Sequence, residues 1–189
     1  MIPGIVLAAG KSERMGSPKA LLRIRGETFI EGILRAIDQS PLDFAITVVG
    51  HHRDEILKEV RLDRWAYNPD YEMGMTTSLQ VGIRALGAGV DGAMLFLVDH
   101  PRVTPGVIEE LLLAFQPGEI AVPVWGGRRG HPVLFSRTVL DEILELGPSE
   151  GANLVVRRDR ARVRHVEVED PGILDDIDTP DAFRRLEDG

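Results

Sequence analysis

The chain has 189 residues, of which 43% are hydrophobic and 28% charged, and it carries a formal net charge of -8. This length is enough for one sizeable core, the acidic balance disfavours a general nucleic-acid-binding protein, and the lack of cysteine excludes disulfides, thiolate nucleophiles and cysteine metal sites. No signal peptide and no apolar run of membrane-spanning length is apparent, so we expect a cytoplasmic protein that binds neither nucleic acid nor membranes.

The first strand-like run leads directly into a glycine-rich, basic loop. Residues 2–8 predict a strand, and the loop begins at Gly10. Of the three lysines in the chain, Lys11 and Lys19 lie in this stretch, and Arg14 adds a further positive charge. Because glycine lets backbone amides approach an anion closely, the loop predicts a phosphate-binding site.

The spacing of this loop differs from two better-known phosphate loops. Five residues separate Gly10 from Gly16 and Ser-Pro-Lys follows, whereas a Walker A loop needs four residues and then Lys-Ser/Thr. The dinucleotide pattern G-x-G-x-x-G is also absent. Pro18 argues against a helix that runs straight out of the loop, since the residue before proline avoids helical torsions.

The rest of the chain alternates predicted helices with predicted strands. Thr28 and Glu31 form a capping-box pair that begins the first helix. Further predicted strands cover residues 44–49, 65–67, 92–98, 120–124, 132–135 and 163–168. Further predicted helices cover residues 53–60, 74–86, 105–115, 137–146 and 150–158, and one more follows Pro180. This order predicts one α/β domain over residues 1–189, with a mostly parallel, doubly wound sheet and helices on both faces.

A carboxylate stands at the end of the strand predicted to be central. Residues 92–98 are apolar on both faces, which suits a strand covered by helices on each side, and Asp99 follows them. Because Mg²⁺ prefers one or two carboxylates together with substrate phosphates, Asp99 is the first candidate metal ligand. Asp178 is the second, with Asp176 behind it. A turn cap at Asp99 and a helix N-cap at Asp178 are the purely structural alternatives.

The loop also carries a resemblance to a known family. Residues 7–19 match L-A-[AG]-G-x-S-x-R-M-G-x-x-K, the signature of the molybdenum cofactor nucleotidyltransferases, and Leu-Ala-Ala-Gly resembles the cytidylyltransferase branch of these MobA-like enzymes. Further motifs follow in the family's order: Asn68 with the run at 74–78, Leu-Val-Asp-His-Pro at 97–101, Gly-His-Pro at 130–132 and Asp-Ile-Asp-Thr-Pro at 176–180. The resemblance implies a Rossmann-like, GT-A-type fold.

The resemblance implies a Mg²⁺-dependent enzyme that transfers CMP from CTP to molybdopterin and releases pyrophosphate. Its catalytic residues would be Arg14, Lys19 and Asp99, and its metal ligands Asp99 and Asp178. The implied nucleotide-binding residues are Leu7, Ala8, Ala9, Gly10, Lys11, Arg14, Lys19, Asn68, Gly74, Ser78 and Asp99. The implied acceptor-binding residues are Gly130, His131 and Pro132. His100 stands where the family usually has glutamine, which leaves the role of that position open.

Two other functions fit the same residues. The first is a related transferase that uses another nucleotide, such as GTP, or another phosphorylated acceptor, such as a sugar phosphate. The second is a non-catalytic module that binds the cofactor and hands it to a molybdoenzyme, and the partner protein would then be that enzyme or its maturation chaperone. His51 and His52 are interpreted as surface residues without a task, and the glycine density of residues 126–130 suggests a mobile lid.

Overall fold

The computed structural model describes residues 1–147 and 150–187 and contains one eight-stranded sheet with helices on both faces. The remaining residues of the predicted domain, 148–149 and 188–189, lie outside the described residues. The strands are β1 Gly4–Ala8, β2 Arg23–Ile24, β3 Glu27–Thr28, β4 Ala45–Val49, β5 Trp65–Tyr67, β6 Gly92–Leu97, β7 Ile120–Trp125, β8 Arg128–Arg129, β9 Val133–Ser136 and β10 Val163–Glu167. The helices are α1 Phe29–Asp38, α2 Arg53–Glu59, α3 Met75–Leu86, α4 Pro105–Leu113, α5 Arg137–Leu144, α6 Asn153–Arg158 and α7 Pro180–Glu187.

The sheet has the strand order β10-β7-β9-β6-β1-β4-β5, and β8 pairs with β7. Strand β1 is parallel to both β4 and β6, β4 is parallel to β5, and β7 is parallel to β10, whereas β9 is antiparallel to β6 and β7. The predicted mostly parallel α/β sheet is therefore confirmed. From β1 the chain first builds outward to β4 and β5 and then returns to place β6 on the other side of β1. Such a reversal opens a crevice at the carboxyl ends of the strands.

Strand β1 is buried along its whole length because both faces of the sheet are covered. Ile5 and Leu7 pack into the hydrophobic core on the side of α3, α5 and α6, and Val6 and Ala8 pack into the core on the side of α1, α2 and α4. An apolar run without alternation is what such a strand requires. It also carries the glycine-rich loop to the crevice on a rigid support.

Local signals place the starts of α1 and α4 correctly, whereas α6 begins at Asn153, three residues after the predicted start. The Thr28 and Glu31 capping box is present: the backbone N–H of Glu31 donates to Thr28 Oγ1 at 3.3 Å, and the backbone N–H of Thr28 donates to the Glu31 carboxylate at 2.9 Å. Thr104 caps α4 by accepting a hydrogen bond from the N–H of Val107 at 3.5 Å, with proline at the first helical position. This helix ends at Leu113, two residues before the predicted end.

The sequence pattern did not predict two short hairpins. Strands β2 and β3 form one, and β7 and β8 form the other through Gly126 and Gly127, which have φ of +56° and +75°. Gly130 follows in a packed position, because a Cβ there would lie 2.3 Å from the carbonyl oxygen of Ile173. The predicted lid at 126–130 therefore takes the form of a paired hairpin that ends in a buried glycine. Over residues 1–147 and 150–187, no helix is long and apolar enough to cross a membrane.

Candidate functional site

A cavity of about 490 Å³ lies where the carboxyl ends of β1, β4 and β6 meet. Its walls come from the loop after β1, the turn after β4, the first turn of α3 and the end of β6. Nine of the eleven residues predicted to bind the nucleotide line it: Leu7, Ala8, Ala9, Gly10, Lys11, Arg14, Lys19, Ser78 and Asp99. The crevice expected at the reversal of strand order thus coincides with the predicted phosphate loop.

The loop is folded around Ser12, a residue that our sequence-based site did not include. Ser12 has a left-handed φ of +54°, and its carbonyl accepts a hydrogen bond from the N–H of Met15 at 2.9 Å. Its hydroxyl accepts a second one from the backbone N–H of Lys19 at 3.0 Å. Pro18 is extended, with φ of -58° and ψ of 116°, and a short 3-10 turn begins at Lys19. No α-helix leaves the loop directly, as the proline predicts.

The turn after β4 holds the loop from behind. Gly50 packs so closely that a Cβ would lie 2.5 Å from the carbonyl oxygen of Ala9, and the N–H of His51 donates to that oxygen at 3.1 Å. His52 Nε2 lies 2.9 Å from the carbonyl oxygen of Lys11, and because a carbonyl can only accept, Nε2 is the donor. The side chain of His52 is only 16% exposed. His52 is therefore a support for the loop, which corrects its interpretation as a surface residue without a task.

Two basic side chains of the loop meet an acidic side chain from the far end of the chain. Lys19 and Arg14 both donate hydrogen bonds to the carboxylate of Asp178. The Nζ atom of Lys19 also lies 3.5 Å from Oδ2 of Asp99, and the Lys19 side chain is 13% exposed. The hydrogen bond from Lys19, more than any other contact, holds the pKa of Asp178 below its usual range. Lys11 differs, since its Nζ pairs with Glu72 at 2.7 Å.

The acidic segment, residues 175–178, is fixed in the site by backbone hydrogen bonds. The N–H of Ile177 donates to the carbonyl oxygen of Asp99 at 2.8 Å, and the N–H of His131 donates to that of Ile173 at 3.0 Å. Ile177 itself is buried at 3% exposure. The backbone thereby brings the carboxylates on either side of Ile177 to the end of β6, although they lie far from it in the sequence.

A second group of side chains could hold a metal ion. One ligand atom each from Asp99, His100 and Asp176 lie within 4.8 Å of one another. Asp176 is exposed as a residue, yet partial burial of its carboxyl group, followed by the charges of Asp178 and Asp99, raises its pKa. Asp178 is engaged by Lys19 and Arg14 instead, so the geometry favours Asp176 as the partner of Asp99. The assignment of Asp178 as a metal ligand stays a prediction.

The predicted nucleotide contact at Asn68 is occupied within the protein. Its buried amide Nδ2 donates to Thr77 Oγ1 and Ser78 Oγ, each at 2.9 Å, and its Oδ1 accepts from the N–H of Asp70 at 3.0 Å. Gly74, with φ of +119°, precedes α3. Asn68 and Gly74 do not line the cavity but shape the helix start that presents Ser78 to it.

The Gly-His-Pro motif lies beside the metal-binding group rather than in the wall of the cavity. The rings of His131 and His100 have centroids 4.6 Å apart. Burial, followed by the electrostatic effect of the neighbouring His100, lowers the pKa of His131 to about 3, so the His131 ring is neutral near pH 7. Acceptor binding by Gly130, His131 and Pro132 stays a prediction.

Comparison with known proteins identifies the family and several relatives of this chain. A family model described as the MobA-like NTP transferase domain matches residues 4–166. The purine catabolism protein PucB of Bacillus subtilis (strain 168) is 32% identical over 95% of this chain and 93% of its own length. The molybdenum cofactor cytidylyltransferase of Escherichia coli (strain K12) is 28% identical over 95% of this chain and 92% of its own length.

Solved structures of similar sequence have the same fold. The crystal structure of Rv0371c from Mycobacterium tuberculosis H37Rv is 33% identical, covers 100% of this chain and 97% of its own, and has a TM-score of 0.90. The structure of its complex with manganese is 30% identical, covers 100% of this chain and 98% of its own, and has a TM-score of 0.85. With the family model matching most of the chain, this protein belongs to the MobA-like NTP transferase family.

Proposed function

We propose that the protein is a cytidylyltransferase that transfers CMP from CTP to the terminal phosphate of molybdopterin, giving molybdopterin cytosine dinucleotide and pyrophosphate. The observation that carries this proposal is the meeting of Lys19 and Arg14 with Asp99 and Asp178 beside the glycine-rich cavity. The choice of CTP and molybdopterin is supported by the Leu-Ala-Ala-Gly form of the loop and by the name of the Escherichia coli relative.

The proposed reaction requires positive groups that offset the negative charge of the phosphates. An oxygen of the acceptor phosphate forms a bond to the α-phosphorus of CTP, and the bond from that phosphorus to the β-phosphate oxygen breaks, so that pyrophosphate leaves. Lys19 and Arg14 would bind the triphosphate and offset the charge that develops on it. Both side chains contact Asp178, which holds them in position at the site, and the triphosphate would replace Asp178 as their partner when it binds. The backbone amides of the glycine-rich loop add further donors.

A divalent cation fits at the Asp99 end of the site. Oδ1 of Asp99 and Nδ1 of His100 are buried and have no hydrogen-bond partner within the described part of the chain. Asp99, with Asp176 or Asp178, would hold the ion, and we expect Mg²⁺, as the sequence predicts. When bound, it would neutralise phosphate charge and polarise the phosphate groups. The manganese complex of Rv0371c supports a divalent cation in this family.

A second candidate function is transfer of a nucleotide to a different acceptor. The observation that favours it is the identity to PucB, a protein named for purine catabolism. This identity is 32%, whereas the identity to the molybdenum cofactor cytidylyltransferase is 28%. The same phosphate loop and acidic residues would serve, and only the acceptor pocket would differ.

The experiment is an incubation of the purified protein with Mg²⁺ and molybdopterin in the presence of CTP, GTP, ATP or UTP. We expect pyrophosphate and a cytosine dinucleotide only with CTP, and Asp99→Ala should abolish both products. A preference for GTP would overturn the assignment of the nucleotide. Pyrophosphate released with another phosphorylated compound but not with molybdopterin would favour the second candidate. Tight CTP binding without pyrophosphate would indicate the non-catalytic carrier.

A further inference from the structure

The metal-binding group contains a nitrogen donor where an all-oxygen site would be expected. Asp99, His100 and Asp176 each offer one ligand atom, and these atoms lie within 4.8 Å of one another. In an octahedral site with bonds of about 2.0–2.1 Å, neighbouring ligand atoms lie about 3 Å apart and opposite ones about 4 Å apart, so the three atoms would have to move inward to share one ion. Two carboxylate oxygens and one imidazole nitrogen would then occupy part of its coordination sphere.

Two atoms of this group are buried without a partner. Oδ1 of Asp99 and Nδ1 of His100 make no hydrogen bond to any described residue. Buried polar atoms are normally paired, and an unpaired one calls for a partner such as an ion, a ligand or a water molecule. The His131 ring packs against the His100 ring with an interplanar angle of 46° and restricts the space in which His100 can turn.

Asp176 is the carboxylate of this group that the basic side chains do not contact. Lys19 and Arg14 are both directed to Asp178, and Lys19 also lies 3.5 Å from Oδ2 of Asp99. By contrast, Asp176 has no basic partner within salt-bridge distance in residues 1–147 and 150–187. A doubly charged ion between Asp99 and Asp176 would supply the positive charge that the basic side chains do not provide there.

The donor set also determines which ion is preferred. Mg²⁺ takes oxygen ligands, whereas imidazole suits first-row transition metals such as Fe²⁺, Ni²⁺, Cu²⁺ and Zn²⁺. We propose that one ring nitrogen of His100 binds the divalent cation together with Asp99 and Asp176, and that His100 raises the affinity of the site for transition-metal ions relative to Mg²⁺. Mn²⁺ serves below as the paramagnetic probe of such ions. This proposal rests on the proposed function in placing the ion beside the nucleotide. It goes further by assigning metal selectivity to a residue that stands where related cytidylyltransferases carry glutamine.

The first test measures metal binding in the absence of nucleotide. Metal-free protein is titrated with Mn²⁺ while the electron paramagnetic resonance signal of free Mn²⁺ is followed, and Mg²⁺ is then added as a competitor. We expect His100→Gln to weaken Mn²⁺ binding about tenfold or more and to change Mg²⁺ binding little, so that the Mn²⁺ to Mg²⁺ affinity ratio falls. His165→Gln is the matched control, because His165 is exposed on β10, away from this group.

Nitrogen ligation gives a direct signature. The spin-echo modulation of bound Mn²⁺ should contain a nitrogen coupling in the unchanged protein and in His165→Gln, and this coupling should be lost in His100→Gln. Asp176→Asn should weaken both ions without removing the coupling of whatever Mn²⁺ remains bound. Circular dichroism of each variant shows whether it is folded.

The outcomes separate this proposal from the transferase function. An unchanged affinity ratio in folded His100→Gln, or a nitrogen coupling that persists in it, overturns the role of His100 even if CTP is turned over. If the Mn²⁺ to Mg²⁺ affinity ratio depends on His100 but no nucleotide gives pyrophosphate, the metal-site proposal stands and the proposed function is wrong. Weak Mn²⁺ binding that is equal in all variants would show that the group is not a metal site.

Discussion

The two halves of the candidate site are built in different ways. The basic half, residues 10–19, is one continuous loop whose internal contacts, such as the N–H of Lys19 on Ser12, span few residues. The acidic half joins Asp99 to residues 175–178 through a backbone hydrogen bond between Ile177 and Asp99. A phosphate loop can therefore be recognised from local sequence, whereas the choice of acidic partner for each cation requires the folded chain.

Two nearly adjacent residues of the acidic half, Asp176 and Asp178, have different partners. Asp176 belongs to the group with Asp99 and His100, while Asp178 accepts hydrogen bonds from Lys19 and Arg14. The buried side chain between them, Ile177, anchors the segment in the core. One carboxylate is thus available to a metal ion, and the other keeps the basic side chains in position.

Apart from the loss of both products in Asp99→Ala, the largest expected effect comes from removing the cation that links both halves. Lys19→Ala should lower kcat/KM for CTP about 100- to 1,000-fold, because in the proposed reaction Lys19 would offset charge that develops in the transition state. The exposed Lys58 on α2 provides the matched control, and Lys58→Ala should retain full activity. Pyrophosphate release measures both variants, and thermal unfolding should show little change in either. Near-normal turnover in Lys19→Ala would contradict the site.

A smaller effect is expected from the two acids, and it sharpens the comparison between the halves. Asp178→Asn should lower kcat/KM by about 10- to 100-fold, since it releases Lys19 and Arg14 from their positions while leaving metal affinity nearly unchanged. Asp176→Asn should instead weaken the binding of Mg²⁺ and Mn²⁺. Calorimetric titration of each metal ion distinguishes the two. The reverse pattern would establish Asp178 as the metal ligand that the sequence predicts.

Within the basic half, the support from His52 can be removed. His52→Ala deletes the hydrogen bond to the carbonyl oxygen of Lys11. Such a bond contributes about 0.5–1.5 kcal/mol net, so its loss should raise KM for CTP about 2- to 13-fold and change kcat little. His51→Ala is the neighbouring control, because His51 reaches the loop through its backbone N–H, which the substitution keeps. Steady-state kinetics at varied CTP concentrations gives both constants. Equal KM values in the two variants would remove His52 from the site.

The smallest effect is expected away from the site, at the start of α1. Thr28→Ala removes the helix cap and should lower the free energy of unfolding by about 1 kcal/mol, whereas Thr28→Ser should retain most of it. Neither variant should alter KM for CTP. Urea denaturation measures the stability. A change in KM with Thr28→Ala would show that the loop depends on this helix more than its contacts indicate.

The same cap predicts a dependence on pH. The hydrogen bond from the Thr28 side chain, followed by that from its backbone N–H, lowers the pKa of Glu31. A carboxyl group with a lowered pKa in the folded state adds stability above its unfolded pKa of about 4.3, and this contribution is lost as the pH falls through the folded value. Glu31→Gln should therefore reduce the loss of stability between neutral and acidic pH. Denaturation curves at several pH values test this, and identical pH profiles would contradict it.

Much of the fold could be predicted from the sequence because its signals are local. The apolar run that became β1, the capping box at Thr28 and the Thr104 cap of α4 each depend on residues within a few positions of one another. The short hairpins were missed because two-residue strands are too short to show alternation. The position of β9 between β6 and β7 depends on contacts across the sheet, which the local sequence pattern does not contain.

By itself, the sequence determined the order of the helices and of the strands of three or more residues, the basic loop and the family that its motifs resemble, because backbone preferences and apolar periodicity act over short distances. Only the tertiary structure decided that Asp178 holds Lys19 and Arg14, that Asp176 joins Asp99 and His100, and that His52 supports the loop. These contacts join residues far apart in the chain. They exist only where the packing of the sheet brings separate strand ends together.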